Sequence, residues 1–153
     1  MYEQVLKAGL RFPLNSFHRE LPKYLGLSVS QISPNAWRVF IAMKVLYGAM
    51  SNSARSLTEW EFLHCYRPDE VDKSKRMYSF VPRKFVLKVI YENPNSNRVW
   101  KSRYFFLEGD GWMCHPGETD HMPVDKTWGI LDPSDIHTCH LLYVDSFNSL
   151  NTL

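Results

Sequence analysis

The sequence predicts an α+β fold, in which an N-terminal helical half packs on a small antiparallel sheet and an irregular C-terminal tail follows. Helix caps and apolar residues at helical spacing dominate residues 1–66, strand-length apolar runs with turn signals follow, and periodicity is lost beyond Cys114. The 153 residues suit a single domain. We divide it into a helical-plus-sheet region at residues 1–113 and an irregular acidic tail, docked or partly disordered, at residues 114–153.

The first helices are predicted from their capping residues. Asn15 or Ser16 can cap a segment that runs to Leu25, and Pro22 predicts a helix that begins or kinks at that point. Ser28 offers a further cap before the next apolar residues. The N-terminal part of the chain is therefore expected to form short helical pieces.

The clearest helix is predicted to begin at Ser33, because serine is a favoured N-cap and Pro34 suits the first helical position. Apolar residues then recur at three- and four-residue spacing, which predicts a buried stripe with a glycine at close approach to a neighbour. The stripe consists of Trp37, Phe40, Ile41, Val45 and Gly48.

Another capped helix is expected after it, starting at Ser56 or Thr58 and ended by Pro68. Residues 69–76 are charged and contain little apolar surface, so they predict an exposed loop.

Three strands are predicted after this loop, at residues 77–81, 86–90 and 98–112, although residues 85–91 are also compatible with a helix. The last of them holds a dense run of aromatic residues, and we expect it to be the central strand. Side chains alternate along a strand, so its even-numbered aromatic residues are expected to face the core together. They are Trp100, Tyr104 and Phe106.

Charge is distributed unevenly along the chain, although the net charge is only +2. Residues 1–66 carry seven Lys or Arg and four Asp or Glu, residues 67–103 carry ten and four, and residues 104–153 carry one and eight. The three segments therefore have net charges of +3, +6 and −7. The basic segment can meet an anionic partner, or the acidic segment of the same chain can neutralise it.

The cysteine count and the apolar runs bear on the compartment. The three cysteines are an odd number, and no secretory apolar segment follows Met1. No apolar run reaches the roughly 18 residues of a membrane span. We therefore expect free thiols in an intracellular protein, nuclear or cytoplasmic, that is not integral to a membrane and requires no cofactor.

Several short motifs occur in a fixed order along the chain. They are Pro34-Asn35-Ala36-Trp37-Arg38, Phe62-Leu63 with Tyr66, Tyr78-Ser79-Phe80, and the run from Asn95 to Phe106. Together they resemble the gypsy-type transposon or transposase domain of plant retroelement reading frames, over about residues 9–113. The resemblance implies a mobile-element origin, but it implies no catalytic set, cofactor or residue role.

Polynucleotidyl transfer is the remotest function that the sequence suggests. This chemistry needs carboxylates that converge on two metal ions. The candidates cluster after the central aromatic run, without the alternating strands and helices that would bring distant carboxylates together. They are Asp110, Asp120, Asp125, Asp132 and Asp135. We therefore expect no enzymatic activity.

A zinc site is a second remote candidate, because cysteine and histidine are zinc ligands. Six such residues fall in the last third of the chain, although their spacing does not match a standard zinc finger, and four of these six form the candidate site. They are Cys114, His115, His137 and Cys139. The simpler alternative is that these residues lie at the surface while Cys65 packs in the core.

Nucleic-acid binding is the main alternative function, and it would use cations of the basic segment at residues 73–103 to contact phosphates. These candidates are Lys73, Lys75, Arg76, Arg83, Lys84, Arg98, Lys101 and Arg103. The expected strand alternation separates the outward cations from the inward aromatic rings, which weakens this hypothesis. We therefore favour a protein-interaction or assembly module, with a protein partner or self-association, in which one of the tryptophans is an exposed anchor.

Overall fold

A computed structural model of the chain describes residues 1–52, 55–72, 76–84, 90, 98–109, 111–118 and 126–134. It contains the helices α1 (Glu3–Lys7), α2 (Ser16–Tyr24), α3 (Pro34–Met50) and α4 (Glu59–Cys65), and the strands β1 (Tyr66–Asp72) and β2 (Met77–Pro82). Two 3₁₀ turns, Val29–Gln31 and Arg98–Ser102, complete the described elements. The helices lie mostly in the N-terminal half beside a two-stranded antiparallel sheet. The predicted α+β class is confirmed.

The predicted caps are present at three of these elements. The side chains of Asn15, Ser33 and Thr58 accept hydrogen bonds from backbone N–H groups in the first turns of α2, α3 and α4. α2 begins six residues before Pro22 and contains it. The cap predicted at Asn15 therefore decides where α2 starts, so the alternative that a helix begins at Pro22 is wrong, and the alternative of a kink there stays a prediction.

The core is an aromatic cluster built on the first half of α3. Phe40 is fully buried and stacks on Phe17 of α2, with ring centroids 4.3 Å apart. Phe62 of α4 packs edge-on against Phe40 at 4.9 Å and against Phe80 of β2 at 4.8 Å. One set of rings therefore joins α2, α3, α4 and the sheet into a single hydrophobic core.

Burial along α3 ends at Met43. Val45 is 68% exposed, so the prediction that the whole apolar stripe is buried is wrong beyond this point. No neighbour lies within 4 Å of the position that a β-carbon would take at Gly48, which also contradicts the expected close approach. The cause is that one face of the last two turns of α3 lacks a covering layer among the described residues.

The sheet differs from the prediction in its first strand. β1 occupies residues that were expected to end a helix and to form an exposed loop, and it pairs with β2 so that Pro68 lies opposite Phe80. The strand predicted at residues 77–81 is confirmed as β2. The strand predicted at residues 86–90 lies largely outside the described residues.

The aromatic run near Trp100 does not form a central strand. Residues 98–102 form a 3₁₀ turn, and the chain then pairs briefly with the N-terminus through an isolated bridge between Tyr2 and Tyr104. Proximity to residues 1–3, rather than to β2, determines the position of this segment. The prediction of a central strand at residues 98–112 is therefore wrong.

Two segments from the C-terminal third contact the helical half without forming a long element of their own. Residues 111–118 contact α2, and residues 126–134 contact the Val29–Gln31 turn. The predicted division at residues 113/114 stays a prediction. None of the helices that the structure describes is both long and apolar enough to cross a membrane.

Candidate functional site

The candidate site is built around an extended segment at residues 103–108. Its backbone pairs with the N-terminus: the N–H of Glu3 donates to the carbonyl of Arg103 over 3.0 Å, and that of Phe105 donates to Met1 over 2.8 Å. Backbone groups alternate in direction along an extended chain. Those of Tyr104 and Phe106 therefore point away from the N-terminus, and they form no hydrogen bond with the described residues.

The side chains of this segment are not arranged as predicted. Trp100 is buried and packs edge-on against Tyr2, with ring centroids 4.6 Å apart. Tyr104 is 61% exposed and Phe106 is 88% exposed, and their rings contact each other edge-on at 5.7 Å. The expectation that all three aromatic residues face the core is therefore wrong, because none of the described residues covers the face that carries Tyr104 and Phe106.

A groove runs beside the exposed rings. One part, of about 400 Å³, is lined by Met1, residues 28–30, residues 106–109, Trp112 and Lys126. An adjoining part, of about 260 Å³, is lined by Met1, Tyr2, Ser30, Tyr104 and Trp128. The two parts share Met1 and Ser30, and we call them together the aromatic groove. Aromatic walls with a few polar groups are typical of binding clefts.

One wall of the aromatic groove is fixed by Gln31, which is fully buried. Its side-chain oxygen accepts from the N–H of Gly129 over 2.8 Å, and its amide nitrogen donates to the carbonyl of Gly129 over 2.9 Å. The indole N–H of Trp128 donates to the Ser30 hydroxyl over 3.2 Å. Gln31 therefore holds both backbone groups of the residue next to Trp128, and this positions the indole over the groove.

The other wall is held by a buried ion pair. Arg19 is 2% exposed, and its guanidinium binds both carboxylate oxygens of Glu118 at 2.9 Å. It also donates to the carbonyls of Leu14 and Met113. The Arg19 guanidinium, helped by the backbone N–H of His115, lowers the pKa of Glu118 to about 2. Residues 111–118, which include Trp112, are thereby attached to α2.

The cations proposed for nucleic-acid binding are not equivalent in the structure. Arg76 and Lys84 are exposed. Arg103 is also exposed, and its guanidinium lies 3.9 Å from Glu3. The ammonium of Lys101 lies over the Trp100 ring at 5.7 Å.

Arg83 differs from these cations because it is buried. Its side chain donates to the carbonyl of Leu63 over 2.8 Å, a structural contact that the sequence did not predict. Lys73, Lys75 and the side chain of Arg98 lie outside what the structure describes. Nucleic-acid binding by these cations therefore stays a prediction, and Arg83 is the described candidate that has a buried structural contact.

The proposed zinc ligands fall only partly within the described residues. Cys114 is half-buried and His115 is exposed, whereas His137 and Cys139 lie outside them. The described part of the chain contains no group of three or more His, Cys, Asp or Glu placed to hold a metal ion. Cys65 packs in the core as expected, and burial raises the pKa of its thiol to about 11.

The carboxylates proposed for polynucleotidyl transfer are also mostly outside the described residues. Asp132 is exposed and accepts from the N–H of Ser134 over 2.8 Å. The other four, at positions 110, 120, 125 and 135, lie outside.

A separate cluster of titratable side chains joins α3 to α4. Glu61 is buried and accepts from the Tyr47 hydroxyl over 2.7 Å, from Thr58 and from Arg55. Burial raises the pKa of Glu61, but these hydrogen bonds and the charge of Arg55 outweigh burial and lower it overall. Because the carboxylate closes the capping box of α4, the cluster has a structural role.

The aromatic groove includes residues that sequence reasoning does not single out, above all Ser30 and Phe106 as an outward side chain, and Gln31 behind its wall is a further one. The sequence predicts an exposed tryptophan anchor, but it does not distinguish Trp128 from Trp37, Trp60 and Trp112. The pairing of Gln31 with Gly129 spans 98 positions, so no local pattern points to it. In the sequence, the only local hint of this contact is the Trp128-Gly129 dipeptide, which lies beyond the last periodic segment.

No protein-family model, no curated protein and no solved structure matches the chain.

Proposed function

We propose that this protein is a non-enzymatic protein-interaction module whose aromatic groove binds an extended peptide of a partner. The observation that carries the proposal is the outward pair Tyr104 and Phe106, which offers two exposed rings and, on the same segment, backbone groups that no described residue pairs with. Large exposed aromatic side chains beside a cleft are a common feature of binding surfaces.

Strand addition is the recognition mode that suits this arrangement. A peptide beside residues 104–106 would exchange main-chain hydrogen bonds with the backbone groups of Tyr104 and Phe106, and its alternate side chains would enter the groove. Main-chain pairing supplies affinity, whereas the aromatic walls select which side chains fit. Trp112 and Trp128 are already fixed by their neighbours, so little ordering is required on binding.

Peptide display tests this function directly. A random peptide library is selected on the native protein and counter-selected on the double variant Tyr104→Ser, Phe106→Ser. Enriched peptides should bind the native protein and lose at least about 10-fold in affinity on the double variant, because two aromatic anchors are absent. The matched control is Trp60→Ser, which removes a 43% exposed ring elsewhere and should leave binding unchanged. The proposal would be overturned if the enriched peptides bound the double variant as tightly as the native protein.

The biological setting of the module is inferred from sequence. The ordered motifs between Pro34 and Phe106 support a retroelement-derived domain, and the odd cysteine count supports an intracellular compartment. Self-assembly is the variant of this function in which the partner is a second copy. Sedimentation over a concentration series separates the two, since a strictly monomeric protein leaves only a different partner.

Single-stranded nucleic acid is the second candidate ligand, and one observation favours it. Tyr104 and Phe106 are exposed directly beside Arg103, and rings next to a cation can stack bases while the cation contacts phosphate. A fluorescein-labelled 20-nucleotide oligothymidine is the probe for this alternative. Anisotropy should report binding that weakens steeply between 50 and 200 mM salt and that requires both Arg103 and Phe106. Binding that is absent or independent of salt would contradict this alternative.

A further inference from the structure

The C-terminal half of α3 carries an apolar stripe that is separate from the aromatic groove. Its members are exposed and recur at the i, i+3, i+4, i+7 and i+8 spacing of one helical face. They are Ala42, Val45, Leu46, Ala49 and Met50, and we call them the α3 stripe. Val45 is 68% exposed and Met50 is 54% exposed, so the most apolar face of this half-helix meets solvent.

The opposite face of α3 shows that the stripe points away from the core. The ammonium of Lys44 lies over the Phe17 ring of α2 at 4.6 Å. The hydroxyl of Tyr47 donates to buried Glu61 of α4 over 2.7 Å. These two contacts fix the rotation of the helix, and therefore the direction of the stripe.

A single cation stands at the N-terminal end of the α3 stripe. Arg38 lies one turn before Ala42 on the same face, because positions 38, 42, 45 and 49 are aligned on a helix. Its guanidinium donates to the Asn35 side chain over 2.8 Å, and no carboxylate among the described residues pairs with it. α3 contains no Asp or Glu. Among the residues of α3 itself, the stripe is therefore apolar, with the half-buried Arg38 as a positive charge at its N-terminal end.

Size and charge both argue against a second copy as the occupant. Five side chains, two of them alanines, fall well short of the roughly 20–30 residues a side in a stable interface. A second α3 stripe would also offer no carboxylate to Arg38, because α3 contains no Asp or Glu.

We propose that the α3 stripe binds an acidic amphipathic helix of a partner protein. Apolar anchors of that helix would pack between Val45, Leu46 and Met50, and small Ala42 and Ala49 would allow the two backbones to approach closely. A Glu or Asp near one end of the partner helix would pair with Arg38. This interaction does not depend on the aromatic groove, so it gives the protein a second, independent docking surface.

A designed peptide tests the proposal. The probe is a fluorescein-labelled, 18-residue helical peptide with Leu at i, i+3, i+4 and i+7 and Glu near one end, and its matched control has Lys in place of each Glu. The Glu peptide should bind the native protein at least about 5-fold more tightly than the Lys peptide. The double variant Val45→Gln, Met50→Gln should weaken binding at least about 10-fold, because it removes the apolar contact.

A charge reversal identifies the role of Arg38. Arg38→Glu should weaken binding of the Glu peptide and strengthen binding of the Lys peptide, which a merely structural role would not produce. The variant Phe106→Ser in the aromatic groove should leave the affinities for both peptides unchanged. A negative result for the α3 stripe can therefore be distinguished from a negative result for the aromatic groove. Circular dichroism confirms that each variant is folded.

Three results would overturn the proposal. The first is that the Glu peptide does not bind at millimolar concentration, or that its affinity is the same for the native protein, for Val45→Gln, Met50→Gln and for Arg38→Glu. The second is a concentration-dependent dimer in sedimentation that Val45→Gln, Met50→Gln abolishes, since a second copy would then be the occupant. The third is protection of Val45 and Met50 in the monomer by hydroxyl-radical footprinting, which would mean that the chain itself covers the α3 stripe.

Discussion

His18 is a titratable side chain enclosed by aromatic rings. It is 8% exposed and packs edge-on against Trp37 and Phe40, with ring centroids 5.9 and 6.2 Å away. Burial, with a smaller effect from the Lys44 charge, lowers its pKa from 6.5 to about 4. The folded protein therefore binds fewer protons at this site than the unfolded chain does between these two pH values.

The stability contributed by neutral His18 is present above pH 6.5 and is lost as the pH falls toward 4. The difference in pKa corresponds to roughly 3 kcal/mol in the free energy of unfolding. Urea unfolding at pH 7, 5.5 and 4 should show that the native protein loses stability more steeply than His18→Phe, which keeps the ring packing without the titration. Parallel pH profiles for the two proteins would contradict this account.

At the scale of single elements, the caps could be predicted because each joins residues three positions apart. Asn15, Ser33 and Thr58 bond to N–H groups within their own first turns. β1 could not be predicted, because Pro68 and its charged neighbours suppress the local strand signal. Its pairing with β2 across residues 66–82 decides its conformation instead.

The candidate site could also be predicted only in part from local sequence. Alternation correctly separated odd from even side chains at residues 103–106, since Phe105 packs near Phe12 while Tyr104 and Phe106 share the other face. Alternation alone does not say which face is covered. Which face is covered depends on the residues packed against the segment, and here Phe12 packs against Phe105.

Gly48 gives a prediction for α3. It lies inside the helix, and a β-carbon there would meet no atom within 4 Å. Gly48→Ala should therefore stabilise the protein by about 0.5–1 kcal/mol, because alanine loses less backbone entropy on folding. Urea unfolding measures the change. A destabilised Gly48→Ala protein would show that this part of α3 is covered after all.

Gly129 gives the opposite prediction for the segment at residues 126–134. A β-carbon at this position would overlap the backbone carbonyl of Gly26, which cannot move aside as a side chain can. Gly129→Ala should therefore detach the segment from Gln31 and expose Trp128, with faster hydrogen exchange and a red shift in tryptophan emission. Gly111→Ala is the matched control, because it has open space and should change neither signal.

Across the whole molecule, charges that are unbalanced along the sequence are partly balanced in space. Arg19, in the +3 segment, pairs with Glu118 in the −7 segment, and Arg103, in the +6 segment, lies 3.9 Å from Glu3. The first pair is buried on the arginine side and joins residues 99 positions apart. It therefore couples the helical half to residues 111–118.

This coupling predicts how the fold responds to acid. Because the pKa of Glu118 is about 2 instead of 4.5, its contribution to stability is present above pH 4.5 and is lost as the pH falls toward 2. Glu118→Gln should therefore be less stable than the native protein at pH 7, and the difference between their urea midpoints should shrink to less than half by pH 3.

Arg19→Met should be destabilised by about 2–3 kcal/mol at pH 7, because the buried carbonyls of Leu14 and Met113 also lose their donor. In this variant, tryptophan fluorescence, which reports on Trp112, should change at lower urea than circular dichroism of the helices. Residues 111–118 would then unfold separately. Coincident transitions, or a difference between native protein and Glu118→Gln that persists at pH 3, would show that the pair does not couple the two parts.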